Sequence, residues 1–328
     1  MNNQDNSAQV NSHVQEMVRR IRAGEVRALS RAISMVEDHT PESTELLKAL
    51  FPYSGNAMLL GLTGSPGAGK STLVDQVAHA YRKQGKTIGV VAVDPTSPFS
   101  GGAILGDRIR MQSHHADQGT YIRSMATRGS LGGLASTTAD VATVLDASGR
   151  DIVMIETVGV GQDEIDIVRL ADVTIVVLVP GMGDDVQTIK AGIMEIADIF
   201  VINKADRDGA ERVEREIRAM QALATRHDDW TPPIVKTVAS DGTGIAELLE
   251  AIDKYRQYLA EDDRARSRRI ENWRGRIAEM LRDALFQRVL SYYLSESEAT
   301  RLATEVAEHK RDPYSLVEKI VGRMGTPS

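Results

Sequence analysis

From Met58 to Ser240 the chain alternates short, nearly unbroken apolar runs with longer stretches of helical periodicity. The runs are Met58–Thr63, Thr87–Val93, Ile152–Ile155, Val173–Val179, Ile199–Ile202 and Ile234–Val238, the first rich in Leu and the others in Val or Ile. Continuous apolar character, rather than strict alternation, predicts parallel strands covered on both faces. Strands alternating with helices predict a doubly wound α/β fold with a mostly parallel sheet. Residues 119–124 offer one more strand. Ligands of such sheets lie outside the carboxyl ends of the strands, so the residues that close each run become the candidates for chemistry.

The flanks read differently. Residues up to Gln9 are polar and aperiodic, which predicts disorder. From Val10 to Asp38 the pattern is helical, with Val26, Leu29, Ile33 and Val36 on one face and a break at Gly24. Pro41 and Ser43 open a short helix over Thr44–Leu50. These N-terminal helices read as packing support for the α/β domain behind them. Beyond Glu261 an arginine-rich stretch (Arg264, Arg266, Arg268, Arg269, Arg274, Arg276) merges into Ile270, Trp273, Ile277 and Leu281 at helical spacing. A second helix is predicted over Ser295–Lys310, with start signals at Ser295-Glu296-Ser297-Glu298, and a third beyond Pro313. Amphipathic helices appended to a complete α/β domain predict a subunit contact. The arginines read either as a solvated helix face or as a surface for an acidic partner.

The first run opens directly into Gly64-Ser65-Pro66-Gly67-Ala68-Gly69-Lys70-Ser71-Thr72, followed by the helical Leu73–Ala78. Strand, glycine loop and helix in that order satisfy G-x-x-x-x-G-K-[ST], the phosphate-binding P-loop. The glycines let successive N–H groups turn inward onto phosphate oxygens, and the positive end of the helix points at the same place. Lys70 can neutralise the β- and γ-phosphates, and the Ser71 hydroxyl can ligate Mg²⁺.

Other strand ends carry oxygen and amide groups. Asp94 closes the second run and Asp107 follows in a Pro- and Gly-rich stretch; each can serve Mg²⁺, or cap a helix or turn. Glu156 ends the Ile152–Ile155 run, the Walker B arrangement that holds a metal or its water shell. Gly159 follows at the spacing for a γ-phosphate contact. Val160 comes next, so no Gln stands directly after Gly159 to position water, and Gln162 lies nearby. Asn203-Lys204-Ala205-Asp206 follows the Ile199–Ile202 run. The Asp206 carboxylate can accept from both N1–H and the exocyclic amine of guanine, and adenine offers no such donor pair. The tail Val238-Ala239-Ser240 would supply a backbone N–H to the guanine oxygen. The predicted ligand is GTP or GDP.

Composition changes the picture only by exclusion. A net charge of −7 in 328 residues argues against a broad nucleic-acid surface. Cys is absent, so thiolate metal sites and disulfides are excluded. No apolar run spans a bilayer, and the first residues lack a secretory or transit pattern, so no membrane partner and a cytoplasmic location are expected.

Gly64–Thr72, Asp94-Pro95-Thr96-Ser97-Pro98, Arg123–Gly129, Glu156–Gln162 and Asn203–Asp206 together resemble the MeaB/ArgK family of P-loop GTPases. The resemblance spans almost the whole chain. It implies a GTPase domain over residues 56–260, an N-terminal helical extension over 1–55 and a C-terminal helical dimerisation arm over 261–328, hence a homodimer. It implies a chaperone of an adenosylcobalamin-dependent acyl-CoA mutase, most often methylmalonyl-CoA mutase, which gates cofactor delivery and protects the mutase. It also implies that Ser71, Asp94, Asp107 and Glu156 serve Mg²⁺, and that residues 180–190 form an extra switch. Lys190, in that switch, then joins Lys70 and Glu156 as a catalytic candidate. Missing the water-positioning Gln, the isolated enzyme is expected to be slow and partner-stimulated. The competing readings are a kinase acting on a transport-related protein and a nickel-delivery GTPase. GTP specificity disfavours the first; the lack of Cys and of His clusters disfavours the second.

Overall fold

A computed structural model describes residues 2–94, 117–126, 133–157, 170–181, 196–223 and 228–322. The expectations placed on Asp107, Gly159, Gln162 and Lys190 lie outside these residues. The chain divides into two compact units, Met1–Arg269 and Ile270–Ser328.

The first unit is built on one sheet. Its strands are β1 (Met58–Gly64), β2 (Ile88–Asp94), β3 (Thr120–Ala126), β4 (Ile152–Glu156), β5 (Val173–Leu178), β6 (Ile199–Asn203) and β7 (Ile234–Thr237). They lie in the order β3-β2-β4-β1-β5-β6-β7, and every pair is parallel. Each predicted run is a strand, with ends displaced by a residue or two, and the optional run at 119–124 is β3. β1 sits in the middle, between β4 and β5; its connection leads to β2 on one side and that of β5 to β6 on the other, so the chain reverses direction at the β1–β5 seam. This is the switch point at which doubly wound sheets bind ligands.

The helices preceding and surrounding the sheet are α1 (Asn2–Arg22), α2 (Val26–Glu37), α3 (Ser43–Leu50), α4 (Lys70–Lys83), α5 (Gly133–Ala147), α6 (Ala210–Leu223) and α7 (Ile245–Ala260). Side chains alternate across the sheet as strand geometry dictates. Ile152 and Met154 join Leu60, Leu62, Leu73 and Leu248 under α4 and α7. Val153 and Ile155 face the opposite layer, where α5 and the N-terminal helices pack as one cluster with them. The N-terminal helices therefore share a core with the sheet. Arg123 on the β3 edge donates to Glu37 (Nε to Oε1, 2.9 Å) and Ser34 (3.2 Å) of α2, tying the two together.

The disorder predicted up to Gln9 is not what forms: α1 begins at Asn2. Once a helix is nucleated, here by Val14, Met17, Val18 and Ile21 in the core, each added residue closes another hydrogen bond at little cost. Polar composition alone does not stop it.

The division between the units falls within α8 (Arg264–Tyr293), which is followed by α9 (Glu296–Ala307) and α10 (Pro313–Gly322). Ser295 caps α9, its hydroxyl accepting from Glu298 N at 3.3 Å. Asp312 does the same for α10 through Ser315 N at 2.7 Å. Two of the arginines in the basic stretch follow neither predicted role. Arg264 stacks on Tyr258 at 4.4 Å, and Arg268 forms a two-pronged ion pair with the buried Asp198 (3.0 and 2.7 Å). Both are committed to the first unit.

Candidate nucleotide site

β1 delivers the loop at residues 65–69 to the centre of the carboxyl edge. Gly64 adopts φ 141°, and a Cβ there would lie 2.0 Å from the carbonyl oxygen of Val177 on β5. Only glycine lets the chain leave β1 this close to its neighbour. Gly69, at φ 87°, precedes the first turn of α4, and a Cβ there would lie 2.5 Å from Asn203 Nδ2. The glycine spacing thus makes room for a side chain from the other end of the motif set.

Lys70 is buried at the start of α4, and its Nζ donates to the carbonyls of Gly64 (2.6 Å) and Ser65 (3.1 Å). Lys204, in the left-handed region at φ 55°, sends its Nζ to the Gly67 carbonyl at 2.7 Å. Asn203 Nδ2 takes the Ala68 carbonyl at 2.8 Å. The loop's carbonyl oxygens are therefore occupied by cations and an amide, which biases the loop toward presenting N–H groups, the polarity an anion needs.

The sequence predicts Asn203 among the nucleotide-binding residues. The structure places it as a buried strut between the two halves of the site. Its Oδ1 accepts from Thr237 Oγ1 and from Ala239 N, both at 3.1 Å, while Nδ2 holds the P-loop. Thr237, completely buried at the end of β7, is not among the sequence-predicted site residues; a hydroxyl next to last in the Ile234–Val238 run is the signal that could have found it. Among Val238, Ala239 and Ser240, the Val238 N–H goes to Thr243 O at 3.0 Å and the Ala239 N–H to Asn203. Those bonds leave Ser240, exposed in the same turn, as the candidate donor to a guanine oxygen. Asp206 is exposed beside this turn's partner strand, so its carboxylate is open to a ligand.

Glu156 closes β4 opposite Leu62 of β1 and is 7% exposed. The Ser71 hydroxyl donates to its Oε1 at 2.6 Å. A hydroxyl and a carboxylate held together at the loop form a pair of hard oxygen donors, the set that suits Mg²⁺. Asp94 is the final residue of β2, two positions beyond Ala92, which pairs with Glu156. Pro66 and Thr72 lie in and just after the loop. Among the described residues no cluster of three or more His, Asp or Glu is placed to hold a metal ion, and no helix is long and apolar enough to cross a membrane.

A glycine loop at the switch point, a buried lysine folded onto it and an Asn-Lys-x-Asp segment strapped to its back define a P-loop GTPase. Comparison with known proteins narrows this. Residues 29–293 match the family model described as methylmalonyl-CoA mutase-associated GTPase MeaB, and the chain belongs to that family. A Pyrococcus abyssi protein whose name carries the word GTPase is 46% identical over 314 residues, 94% of this chain and 96% of the relative. The mouse mitochondrial methylmalonic aciduria type A homolog is 35% identical over 268 residues, covering 76% of this chain and 65% of the mouse protein. A crystal structure titled as a LAO/AO transport system kinase superposes with a TM-score of 0.70 at 26% identity, over 96% of this chain and 98% of that one.

Proposed function

We propose that this GTPase acts on an adenosylcobalamin-dependent acyl-CoA mutase, methylmalonyl-CoA mutase before others, gating cofactor loading and protecting the loaded enzyme. The observation that carries the reading is the membership of a family described as mutase-associated, in a chain whose guanine-reading segment is bonded directly to its phosphate loop. A site so linked reports base, phosphate and loop as one unit, which suits a switch read by another protein.

In this reading Lys70 neutralises the β- and γ-phosphates, and the loop from Gly64 to Thr72 wraps them. Asp206 and the Ser240 N–H read guanine, with Asn203, Lys204, Val238 and Ala239 holding both halves in place. Mg²⁺, when bound, supplies positive charge against the phosphates; Ser71 and Glu156 would hold it, with Asp94 and Asp107 as the further carboxylates. Glu156 meanwhile accepts the hydrogen bond of the Ser71 hydroxyl, which leaves the hydroxyl's lone pairs for the cation. Lys190 would add transition-state charge when the partner is bound. With Val160 rather than Gln after Gly159, the isolated enzyme is expected to turn over slowly in the cytoplasm. The apolar residues Ile270, Ile277, Leu281 and Leu285 of α8, each more than half exposed, support a homodimer closing over this helix.

The test is the GTPase rate with and without purified methylmalonyl-CoA mutase. Stimulation by at least about tenfold is expected, as a completed catalytic site would give. A fast basal rate indifferent to any cobalamin mutase overturns the reading. Labelled phosphate transferred to an acceptor protein would instead support the kinase that the crystal relative's title describes.

A further inference from the structure

We infer that Asp198 is a positioning residue for guanine recognition, acting from the opposite edge of the sheet through β6. The inference rests on the reading of Asn203–Asp206 as the base-recognition segment and extends it.

β6 is a short strand, only 5 residues from Ile199 to Asn203. Its ladder with β5 runs from Ile175↔Ile199 to Leu178↔Ile202. Asn203 is thus one position past the last residue that β5 supports, held sideways only by β7 at Thr237. Its side chain must nevertheless meet three groups on two other segments, all at 2.8–3.1 Å. A strand that slid or tilted at its start would carry Asn203 off these partners.

The start of β6 is clamped from three directions, and Asp198 is the common point. Its Oδ2 accepts from the Thr174 N–H at 2.8 Å, while its own N–H bonds to the Thr174 carbonyl at 3.0 Å, extending the β5–β6 pairing by one residue. Its carbonyl accepts from Trp230 Nε1 at 2.8 Å, in the segment leading to β7. Its carboxylate receives both prongs of Arg268, and the same guanidinium donates to the Tyr255 hydroxyl. Tyr255 packs on Trp230 with ring centroids 4.9 Å apart, which closes the clamp on itself. Asp198 is 1% exposed. A buried carboxylate with a full set of directional partners fixes geometry more than it adds stability, and what it fixes here is the register of the strand bearing Asn203.

Asp198→Asn tests this, because one amide oxygen cannot serve Thr174 N–H and both prongs of Arg268. GDP affinity is measured by calorimetry at a temperature where near-ultraviolet circular dichroism shows the variant folded, together with KM and kcat for GTP. GDP binding and KM should weaken by about tenfold with kcat unchanged, the scale on which a small misplacement remote from the chemistry is felt. Arg268→Lys, which keeps the charge and loses the fork, should move the same quantities the same way by less. A folded Asp198→Asn with native GDP affinity overturns the inference, even if its melting temperature falls. Should Asp198→Asn fail to fold, Arg268→Lys decides on the same criterion. The underlying base reading fails separately: it falls if the unaltered protein binds ADP as tightly as GDP.

Discussion

Where the strands begin, aspartates collect main-chain N–H groups. Asp146 accepts from Gly55, Asn56 and Ala57 ahead of β1, Asp172 from Leu59, Asp198 from Thr174, Asp151 from Thr87, and Asp117 from Gly119. Where the strands end, the pattern reverses. Lysines and an asparagine collect main-chain carbonyls at Gly64, Ser65, Gly67 and Ala68. In a parallel sheet all starts share one edge, so the leading N–H groups accumulate there and must find acceptors. A carboxylate supplies them internally. At the other edge the same donors have to remain available for a phosphate, so the protein satisfies the carbonyls and leaves the N–H groups to the ligand. One edge is closed chemistry and the other is open.

That contrast can be broken most severely at the open edge. Gly64→Ala drives a methyl into the Val177 carbonyl, where every near neighbour is Val177 backbone and no flexible end can yield. Loss of detectable GDP binding is expected, with a stability cost of about 3 kcal/mol or more, read by calorimetry and thermal melting. A variant that binds GDP normally would mean the loop is not built around this contact.

Elsewhere on the closed edge than Asp198, the effect should fall on stability alone. Asp117 receives Arg82 through Nε (2.6 Å) and a terminal nitrogen (2.8 Å), and the Thr120 hydroxyl at 2.9 Å. The Arg82 guanidinium holds this carboxyl well below the usual carboxylate range, with burial opposing and the Gly119 and Thr120 bonds assisting. A lowered folded value means stability that is complete above the ordinary 3.8 and lost as pH falls toward the folded value. Water reaches the pair, so Asp117→Asn should cost only about 1 kcal/mol at pH 7. The deficit should shrink as urea titrations move below pH 4, while GDP affinity holds at neutral pH. A change in GDP affinity would blur the division between the edges.

Asp172 should give the smallest change, and of opposite sign. Burial pushes its carboxyl up, against the Leu59 N–H and the charges of Arg268 and Arg269, which pull it down. A raised folded value means a contribution complete below 3.8 and lost as pH rises from there through the folded value. Folding therefore disfavours the ionised form of this group relative to the unfolded chain. Asp172→Asn keeps an acceptor for Leu59 N–H and should match or exceed the parent by up to about 1 kcal/mol at pH 7, an advantage that disappears near pH 4. Clear destabilisation at pH 7 would show that the arginines outweigh burial.

Among these carboxylates Asp198 is the one whose strand leads straight into the base-reading segment. Its variant therefore asks whether the closed edge is only scaffolding.

Much of this was legible in the sequence, and unevenly so. The strands could be read because both faces of a central parallel sheet are buried, which leaves unbroken Val and Ile runs such as Val173–Leu178. The phosphate loop and Asn203–Asp206 could be read because their chemistry demands fixed residue types at fixed local spacing. The expectation of guanine over adenine could likewise be read from the residue type at Asp206 and its place in that spacing. What the sequence could not assign was the partner of each polar group, since those partners lie far along the chain. Asn203 reads as a nucleotide contact until Ala68, Thr237 and Ala239 are brought around it. Arg268 reads as a solvated or partner-facing charge until Asp198, 70 residues earlier, arrives beneath it. Local pattern fixes the backbone's periodicity and the ligand-shaped motifs; only the folded sheet, by stacking distant strand ends at two common edges, decides which side chains face the nucleotide and which hold the others in place.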